Sequence, residues 1–171
     1  MAKDFNPFIF IRRLGRCKGF GIQSPSDFAF VNEVVYERSP YYAYEPLRER
    51  YPDTRWWEHK LLRLLLRVSN YAQPSHIKTI DSTPVMVTDY LYAGCSRSNS
   101  GNTLYYNMMP ERFADNDCII ISDIYGNGAE QWEILKDKRH TSHLILFDLY
   151  YIGIAFVRER RYPELHTVNL Y

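Results

Sequence analysis

The chain has 171 residues, of which 46% are hydrophobic and 24% are charged. These values are ordinary for a globular protein and argue against a disordered chain or a coiled coil. The formal net charge is +1, so the chain lacks the broad positive field that attracts a nucleic acid backbone. We therefore expect one structural domain with an N-terminal appendage and no nucleic-acid partner.

The N-terminal segment "MAKDFNPFIFIRRLGR" has an apolar run too short for a signal-peptide core or a spanning helix. We expect it to form a helix docked on the domain rather than on a membrane surface. Cys17, Cys95 and Cys118 show no metal-ligand spacing, and the five histidines are scattered. This pattern predicts reduced thiols, a cytoplasmic protein and no metal site.

The first 75 residues are predicted to form a helical segment packed on an α/β core of residues 76–171, within one structural domain. Ser24 as N-cap and Pro25 at the first position predict a helix to about Glu37. A second short helix is predicted at residues 42–51. The strongest helical pattern is "TRWWEHKLLRLLLRVSNYAQP", which has an apolar and a basic face. The apolar face comprises Trp57, Leu61, Leu64, Leu65 and Val68, and the basic face Lys60, Arg63 and Arg67.

From His76 onwards, predicted strands alternate with helices. A strand at residues 76–81 precedes a helix with Thr83 as N-cap, Pro84 as first residue and Gly94 as its stop. "TLYYNMMPERFADND" is predicted to carry a short helix. "CIIISDI" is typical of a strand buried on both faces, and Asn127 can cap the helix that follows. Two strands in "SHLILFDLYYIGIAFVRER" and one in "LHTVNLY" complete a mostly parallel three-layer α/β sandwich with an antiparallel C-terminal edge.

Five of these segments together resemble one family of bacterial class I S-adenosylmethionine (SAM) dependent methyltransferases. They are "GFGIQSPSDFAF", "YYAYEPLRERY", "CIIISDIYGNGAEQWEILKD", "ILFDLYYIGIAFVRER" and "LHTVNLY". The resemblance covers residues 19–51 and 103–171, and it is specific in combination rather than in any one segment. It implies a Rossmann-like fold whose sheet normally has seven strands.

The middle of the chain departs from that family. Only residues 82–116 separate the first predicted strand from the strand beginning at Asp117, whereas one βαβ unit takes about 30 residues. We therefore expect a reduced sheet of about four to five strands. The strand at residues 76–81 should then lie directly beside the strand at residues 117–123.

The site residues implied by the resemblance are also changed. The family's glutamate and two glycines after the first strand correspond to Thr79, Asp81 and Val85, and Pro84 removes one N–H donor. The paired aspartates of its later turn correspond to Ser122 and Asp123, which leaves one carboxylate for a metal. The turn's histidine and tryptophan correspond to Tyr125 and Gly126, and two N-terminal histidines to Phe20 and Gln23. No bound cofactor is expected, with SAM as the alternative.

Three residues remain as candidates for ligand contacts at the strand ends: Asp81, Ser82 and Asp123. Asp81 and Asp123 can instead accept hydrogen bonds from the backbone of the following helices. His140 and His143 are interpreted as surface residues, and Cys95 has no base beside it to make it a nucleophile. No catalytic residue is assigned.

The leading hypothesis is a non-catalytic methyltransferase-like protein that acts as a binding or scaffolding subunit. An active methyltransferase with an atypical SAM pocket and a small-ligand binding module are the alternatives. Because a sheet that lacks strands exposes apolar faces and an edge, self-association or a protein partner is expected.

Overall fold

The structure is a computed structural model that describes residues 11, 13, 19, 21–95 and 101–170. Several sequence predictions lie outside the described residues: the N-terminal helix, Cys17, Phe20 and most of the polar loop after Cys95. From residue 21 onwards, the described residues form five α-helices, one π-helix and one six-stranded mixed sheet. The fold is therefore α/β, as predicted.

The helices alternate with strands in the C-terminal half only. Helix α1 spans Pro25–Phe30 and continues as a π-helix over Val31–Val35; α2 spans Tyr44–Arg50, α3 Trp56–Ala72, α4 Val85–Gly94 and α5 Ala129–Lys138. The strands are β1 His76–Thr79, β2 Thr103–Tyr106, β3 Cys118–Ser122, β4 Leu144–Asp148, β5 Ile152–Val157 and β6 Glu164–Thr167.

The strand order in the sheet is β1-β2-β3-β5-β4-β6. Strands β1, β2 and β3 are parallel to one another, and β4 is parallel to β6. Strand β5 is antiparallel to both of its neighbours, β3 and β4. The prediction of an antiparallel edge is thus wrong, because the β4–β5 hairpin folds back and inserts β5 inside the sheet.

The predicted number of strands is also wrong, because the segment predicted to carry a short helix contains strand β2. Its sequence "TLYY" is rich in β-branched and aromatic residues, which favour strands. Residues 76–106 are long enough for one complete βαβ unit around α4. Residues 107–117 then join β2 to β3 without a helix, so β2, not β3, lies beside β1.

Two apolar layers enclose the sheet. On one face, α1, the π-helix, α3 and α4 pack against strand residues that include Leu104, Ile120 and Phe147. On the other face, Trp132 and Leu135 of α5 pack against a second set of strand residues. Met109 and Phe113 of the β2–β3 connection also cover this second face.

Helix α3 is buried on more of its circumference than its pattern indicated. Arg67, predicted to lie on a basic exposed face, is only 7% exposed. Its guanidinium donates hydrogen bonds from Nε to the carbonyl of Val34 (2.6 Å) and from Nη2 to that of Val35 (3.1 Å). Its Nη1 contacts the hydroxyl of Tyr44 at 3.2 Å. Arg67 therefore satisfies carbonyls at the end of the π-helix, which have no helical partner of their own.

The helix boundaries test the predicted caps. Ser24 is the N-cap of α1 and accepts a hydrogen bond from the N–H of Asp27 at 3.4 Å, as predicted for this position. Helix α4 begins at Val85, with Pro84 at the N-cap and no side-chain cap, so Thr83 does not have the predicted role. Gly128 rather than Asn127 is the N-cap of α5.

Gly94 was predicted to follow the helix and end it, but it lies within α4 and serves the packing of that helix. It is the last residue of α4, and a Cβ built on it would lie 2.2 Å from the carbonyl oxygen of Leu66 in α3. The absence of a side chain therefore allows α3 and α4 to approach closely.

We expect Gly94→Ala to lower the free energy of unfolding by about 1–3 kcal/mol, because the added methyl group collides with the backbone of α3. In an unobstructed helix the same change would stabilise by about 0.5–1 kcal/mol. Urea unfolding at neutral pH measures the sign. Asp137→Ala, at an exposed residue of α5, is the control and should change stability little. Stabilisation by Gly94→Ala would contradict the close helix contact.

Candidate functional site at the carboxyl edge of the sheet

The carboxyl ends of five strands meet at one edge of the sheet, where open α/β sheets bind their ligands. Asp81 follows β1, Asn107 follows β2 and Asp123 follows β3, while Asp148 is the last residue of β4. Polar side chains are therefore concentrated at this edge. Their contacts decide whether they can receive a ligand.

Asp81 and Ser82 lie in an exposed turn between β1 and α4. The turn is closed by a hydrogen bond from the N–H of Thr83 to the carbonyl of Ile80 at 2.9 Å. Within the described part of the chain, the Asp81 carboxylate accepts no hydrogen bond from the start of α4. Two strand spacings separate the ends of β1 and β3, about 10 Å, so Asp81 and Asp123 are not brought together.

Asp123 organises the turn between β3 and α5. It has a positive φ of 52°, and its carboxylate accepts a hydrogen bond from the N–H of Asn127 at 3.0 Å. Its carbonyl accepts hydrogen bonds from the N–H groups of Gly126 (2.8 Å) and Gly128 (3.0 Å). A Cβ on Gly126 would lie 2.3 Å from the Asp123 carboxylate. The contacts of Asp123 therefore fit a residue that orders the turn better than one that binds a ligand.

Asn107 and Ser122 close the edge between β2 and β3. The side-chain oxygen of Asn107 accepts hydrogen bonds from the N–H of Ser122 (2.7 Å) and from its hydroxyl (3.0 Å). Asn107 also has a positive φ of 52°, a backbone region that asparagine tolerates better than most residues. The two polar side chains thus bind each other.

The most connected group at this edge is formed by Arg13, Tyr125, Asp148 and Tyr150, which we call the edge cluster. Arg13 binds both carboxylate oxygens of Asp148, at 2.9 and 3.1 Å, and its Nη2 contacts the Tyr125 hydroxyl at 2.8 Å. The Tyr125 hydroxyl and the N–H of Tyr150 donate to Asp148 at 2.5 and 2.9 Å. The rings of Tyr125 and Tyr150 stack with centroids 5.3 Å apart.

The edge cluster neutralises its own charges. Asp148 is 6% exposed, and a buried carboxylate needs such compensation. Burial and the hydrogen bond to Asp148 raise the pKa of Tyr125 to about 12, so this hydroxyl stays protonated near neutral pH. Burial alone would lower the pKa of Arg13, but the hydrogen bonds and charges of Asp148 and Tyr125 together raise it.

Sequence reasoning did not single out Arg13 or Asp148. A signal for Asp148 was available, because it is the acid at the end of the predicted strand "LILFD". Asp123 was selected as a candidate because it follows a predicted strand at the carboxyl edge of the sheet, and Asp148 has the same position. Arg13 carries no local signal, because it is 135 residues away from its partner in sequence.

A second polar cluster joins α1 to β6. Arg161 binds both carboxylate oxygens of Asp27, at 2.6 and 2.7 Å, and His166 Nε2 lies 3.0 Å from Asp27 and 3.1 Å from Glu164. Asp27, Glu164 and His166 are the one group with metal-like spacing among the residues described. Because Arg161 occupies both oxygens of Asp27, this set fits an ion pair better than a cation site.

The two thiols in the described residues, and the histidines His140 and His143, give no nucleophile. The Cys95 Sγ lies 2.9 Å from the Ser69 hydroxyl, and burial raises its pKa; burial also raises the pKa of Cys118 in β3. Neither thiol is favoured as a thiolate. His140 and His143 are exposed, as predicted.

Comparison of the chain with protein-family models, curated proteins and solved structures found no significant match. In the described ranges, no helix has both the length and the apolar character needed to cross a membrane.

We expect Asp27→Asn to destabilise the protein by about 2 kcal/mol at pH 7. Burial alone would raise the pKa of Asp27, but hydrogen bonds from His166 and Arg161 outweigh it and lower the pKa to about 2. The stabilisation is therefore fully present above the unfolded pKa of about 4 and is lost as the pH falls towards 2. Urea unfolding of both proteins at several pH values measures the difference.

Asp53→Asn is the matched control, because Asp53 is exposed and forms no ion pair with a described residue. Its effect should be within about 0.5 kcal/mol. A difference between wild type and Asp27→Asn that does not shrink between about pH 4 and pH 2 would contradict the proposed ion pair.

Proposed function

We propose that this chain is a non-catalytic protein on a reduced, methyltransferase-like α/β scaffold, and that it acts by binding rather than by methyl transfer. The carrying observation is the edge cluster. In an open α/β sheet the carboxyl edge receives the ligand, whereas here Arg13, Tyr125 and the backbone of Tyr150 occupy the Asp148 carboxylate.

The turn after β1 supports this proposal. The resemblance implies that SAM needs a close approach of the backbone at this turn and free N–H groups at the helix start. In this chain Pro84 supplies no N–H there, and the side chain of Val85 projects from the first turn of α4 with 65% exposure. The space and the donors for a bound methionine group are therefore reduced.

The acids of the same edge also argue against metal-assisted transfer. Such chemistry needs carboxylates that are able to bind a divalent cation. Asp123 accepts a backbone hydrogen bond from Asn127, and Asp148 is paired with Arg13. Asn107 and Ser122, between them at the edge, hydrogen-bond to each other. Of the described acids at the strand ends, Asp81 alone lacks a partner, so two available carboxylates do not meet at this edge.

Calorimetric titration of the purified chain with SAM and with S-adenosylhomocysteine tests the proposal. We expect no binding up to millimolar ligand, because Pro84 removes a backbone donor after β1 and, of the acids at the strand ends, Asp123 and Asp148 are engaged while Asp81 stands alone in an exposed turn. An active class I methyltransferase titrated with the same ligand stocks is the positive control, and circular dichroism checks that the chain is folded. Micromolar binding, or transfer of a labelled methyl group, would overturn the proposal.

A second copy of the chain is the partner that we expect for a binding role. Strand β1 is the last strand on one side of the sheet that the described residues form, and Val85 and Tyr92, seven residues apart on α4, are 65% and 60% exposed. Ile80, at the end of β1, is also exposed. His76 and Lys78 on β1 limit indiscriminate edge pairing, so we expect a defined dimer rather than aggregation.

Light scattering should give a molar mass above the 20.4 kDa of one chain. The double variant Val85→Ser with Tyr92→Ser should return the mass to that of a monomer, because it removes the exposed apolar face. Tyr162→Ser, at another exposed tyrosine, is the control and should leave the dimer intact. A wild-type chain that stays monomeric at high concentration would contradict self-association.

A further inference from the structure

A cavity of about 440 Å³ lies between the end of the π-helix, α2 and the part of α3 from Trp56 to Arg67. It is separate from the carboxyl edge of the sheet. Five cationic side chains line it against one acid, Glu37: they are Arg38, Arg48, Lys60, Arg63 and Arg67. For a protein whose net charge is +1, this is a strong local concentration of positive charge.

The acid in the lining is already engaged. The Glu37 carboxylate accepts a hydrogen bond from the N–H of Ser39 at 2.6 Å, and this contact lowers its pKa. Arg38, Arg48 and Arg63 form no ion pair with a carboxylate of the described residues. The lining therefore holds five cations against one negatively charged acid, and three of these cations have no carboxylate partner among the described residues.

The innermost cation is fixed in place. Arg67 is bound by two backbone carbonyls and the Tyr44 hydroxyl, which satisfy its hydrogen bonds but bring no negative charge. Arg63 lies over the ring of Tyr44, 4.8 Å from its centroid. Two guanidinium groups are thus positioned by the fold, and a bound anion would meet a site that is largely ordered in advance.

The titration of neighbouring groups agrees with an excess of positive charge. Burial and then the charge of Arg67 lower the pKa of Lys60. Burial, followed by the charges of Arg63 and Arg48, lowers the pKa of His59. Both groups would gain from a nearby anion, because opposite charge favours their protonated forms.

An ordinary solvated basic helix face is the competing interpretation. It would have exposed cations on a convex surface, whereas Arg67 is buried and Lys60 and Arg63 are partly buried in a concavity. The volume is within the range of small-molecule sites, about 300–1,000 Å³. Trp56, at the start of α3, is 75% exposed and also lines the cavity, so a planar ring could stack on it.

We propose that this cavity binds a small phosphorylated molecule with two or more negative charges, held by Lys60 and Arg63 and attracted by the charge of Arg67, with Trp56 available to a ring of the ligand. Guanidinium groups match phosphate oxygens in a bidentate geometry. A small ligand is favoured over a nucleic acid because the cations are confined to one concavity in a chain with little net charge.

The test is calorimetric titration with pyrophosphate, ADP and adenosine at low ionic strength. We expect pyrophosphate and ADP to bind and adenosine not to bind, because the charge supplies most of the affinity. Arg63→Gln should weaken pyrophosphate binding by about tenfold, the loss expected for one charge-assisted contact. Arg160→Gln is the matched control: it removes the same charge at an exposed arginine outside the cavity and should change affinity less than about twofold.

The role of Trp56 is tested by comparing the two phosphorylated ligands. ADP should bind more tightly than pyrophosphate, and Trp56→Ala should remove that advantage while leaving pyrophosphate affinity unchanged. Arg67 is left intact because it also holds the π-helix, and circular dichroism confirms that each variant is folded.

Absence of heat with both phosphorylated ligands would overturn the proposal, as would equal weakening by Arg63→Gln and Arg160→Gln. A single-stranded oligonucleotide that binds more tightly than ADP through Arg63 would replace the small ligand by a nucleic acid. SAM carries no phosphate, so the result is independent of the SAM titration. Binding of ADP without binding of SAM supports this site and leaves the non-catalytic proposal standing.

Discussion

The buried guanidinium of Arg67 determines the arrangement of the helical layer. Its hydrogen bonds to Val34 and Val35 join α3 to the end of the π-helix, and its contact with Tyr44 adds α2. A buried cation without a carboxylate partner is costly unless carbonyl dipoles and hydroxyls satisfy it. These three contacts stabilise the helical layer but supply no negative charge, so the positive charge of Arg67 remains on the wall of the cavity. The residue that joins the helices thus also contributes to the proposed binding site.

At the sheet the charged groups are used differently, because most of them are paired within the chain and are not free to bind a ligand. At its carboxyl edge two of the three acids at the strand ends are engaged: Arg13 pairs with Asp148, and Asp123 accepts a hydrogen bond from the backbone of Asn127. Each contact orders a turn that follows a strand, and each removes a group that could have contacted a ligand. A fold can thus keep the backbone geometry of a ligand-binding edge while its polar side chains serve local structure.

Local patterns were sufficient where the structure depends on neighbours in sequence. Ser24 caps α1 and the apolar run of β3 is a buried strand, because both signals concern adjacent residues. Nonlocal features could not be predicted in this way. Strand β5 lies between β3 and β4 through pairing that no periodicity encodes, and the partners that bury Arg67 lie about thirty residues earlier in the chain. For the site, the turn role of Asp123 could be predicted, but the Arg13–Asp148 pair could not.

The charges at the sheet edge and in the cavity together favour ligand binding at the cavity rather than at the sheet. An edge whose charges are paired within the chain gains little from a charged ligand, because the ligand would first have to displace an internal partner. The cavity beside α3 has the reverse balance, since cations outnumber acids in its lining and an anion entering it relieves the repulsion among Lys60, Arg63 and Arg67. On electrostatic grounds the helical layer, rather than the sheet on which it packs, is where this protein gains most free energy from an anionic ligand.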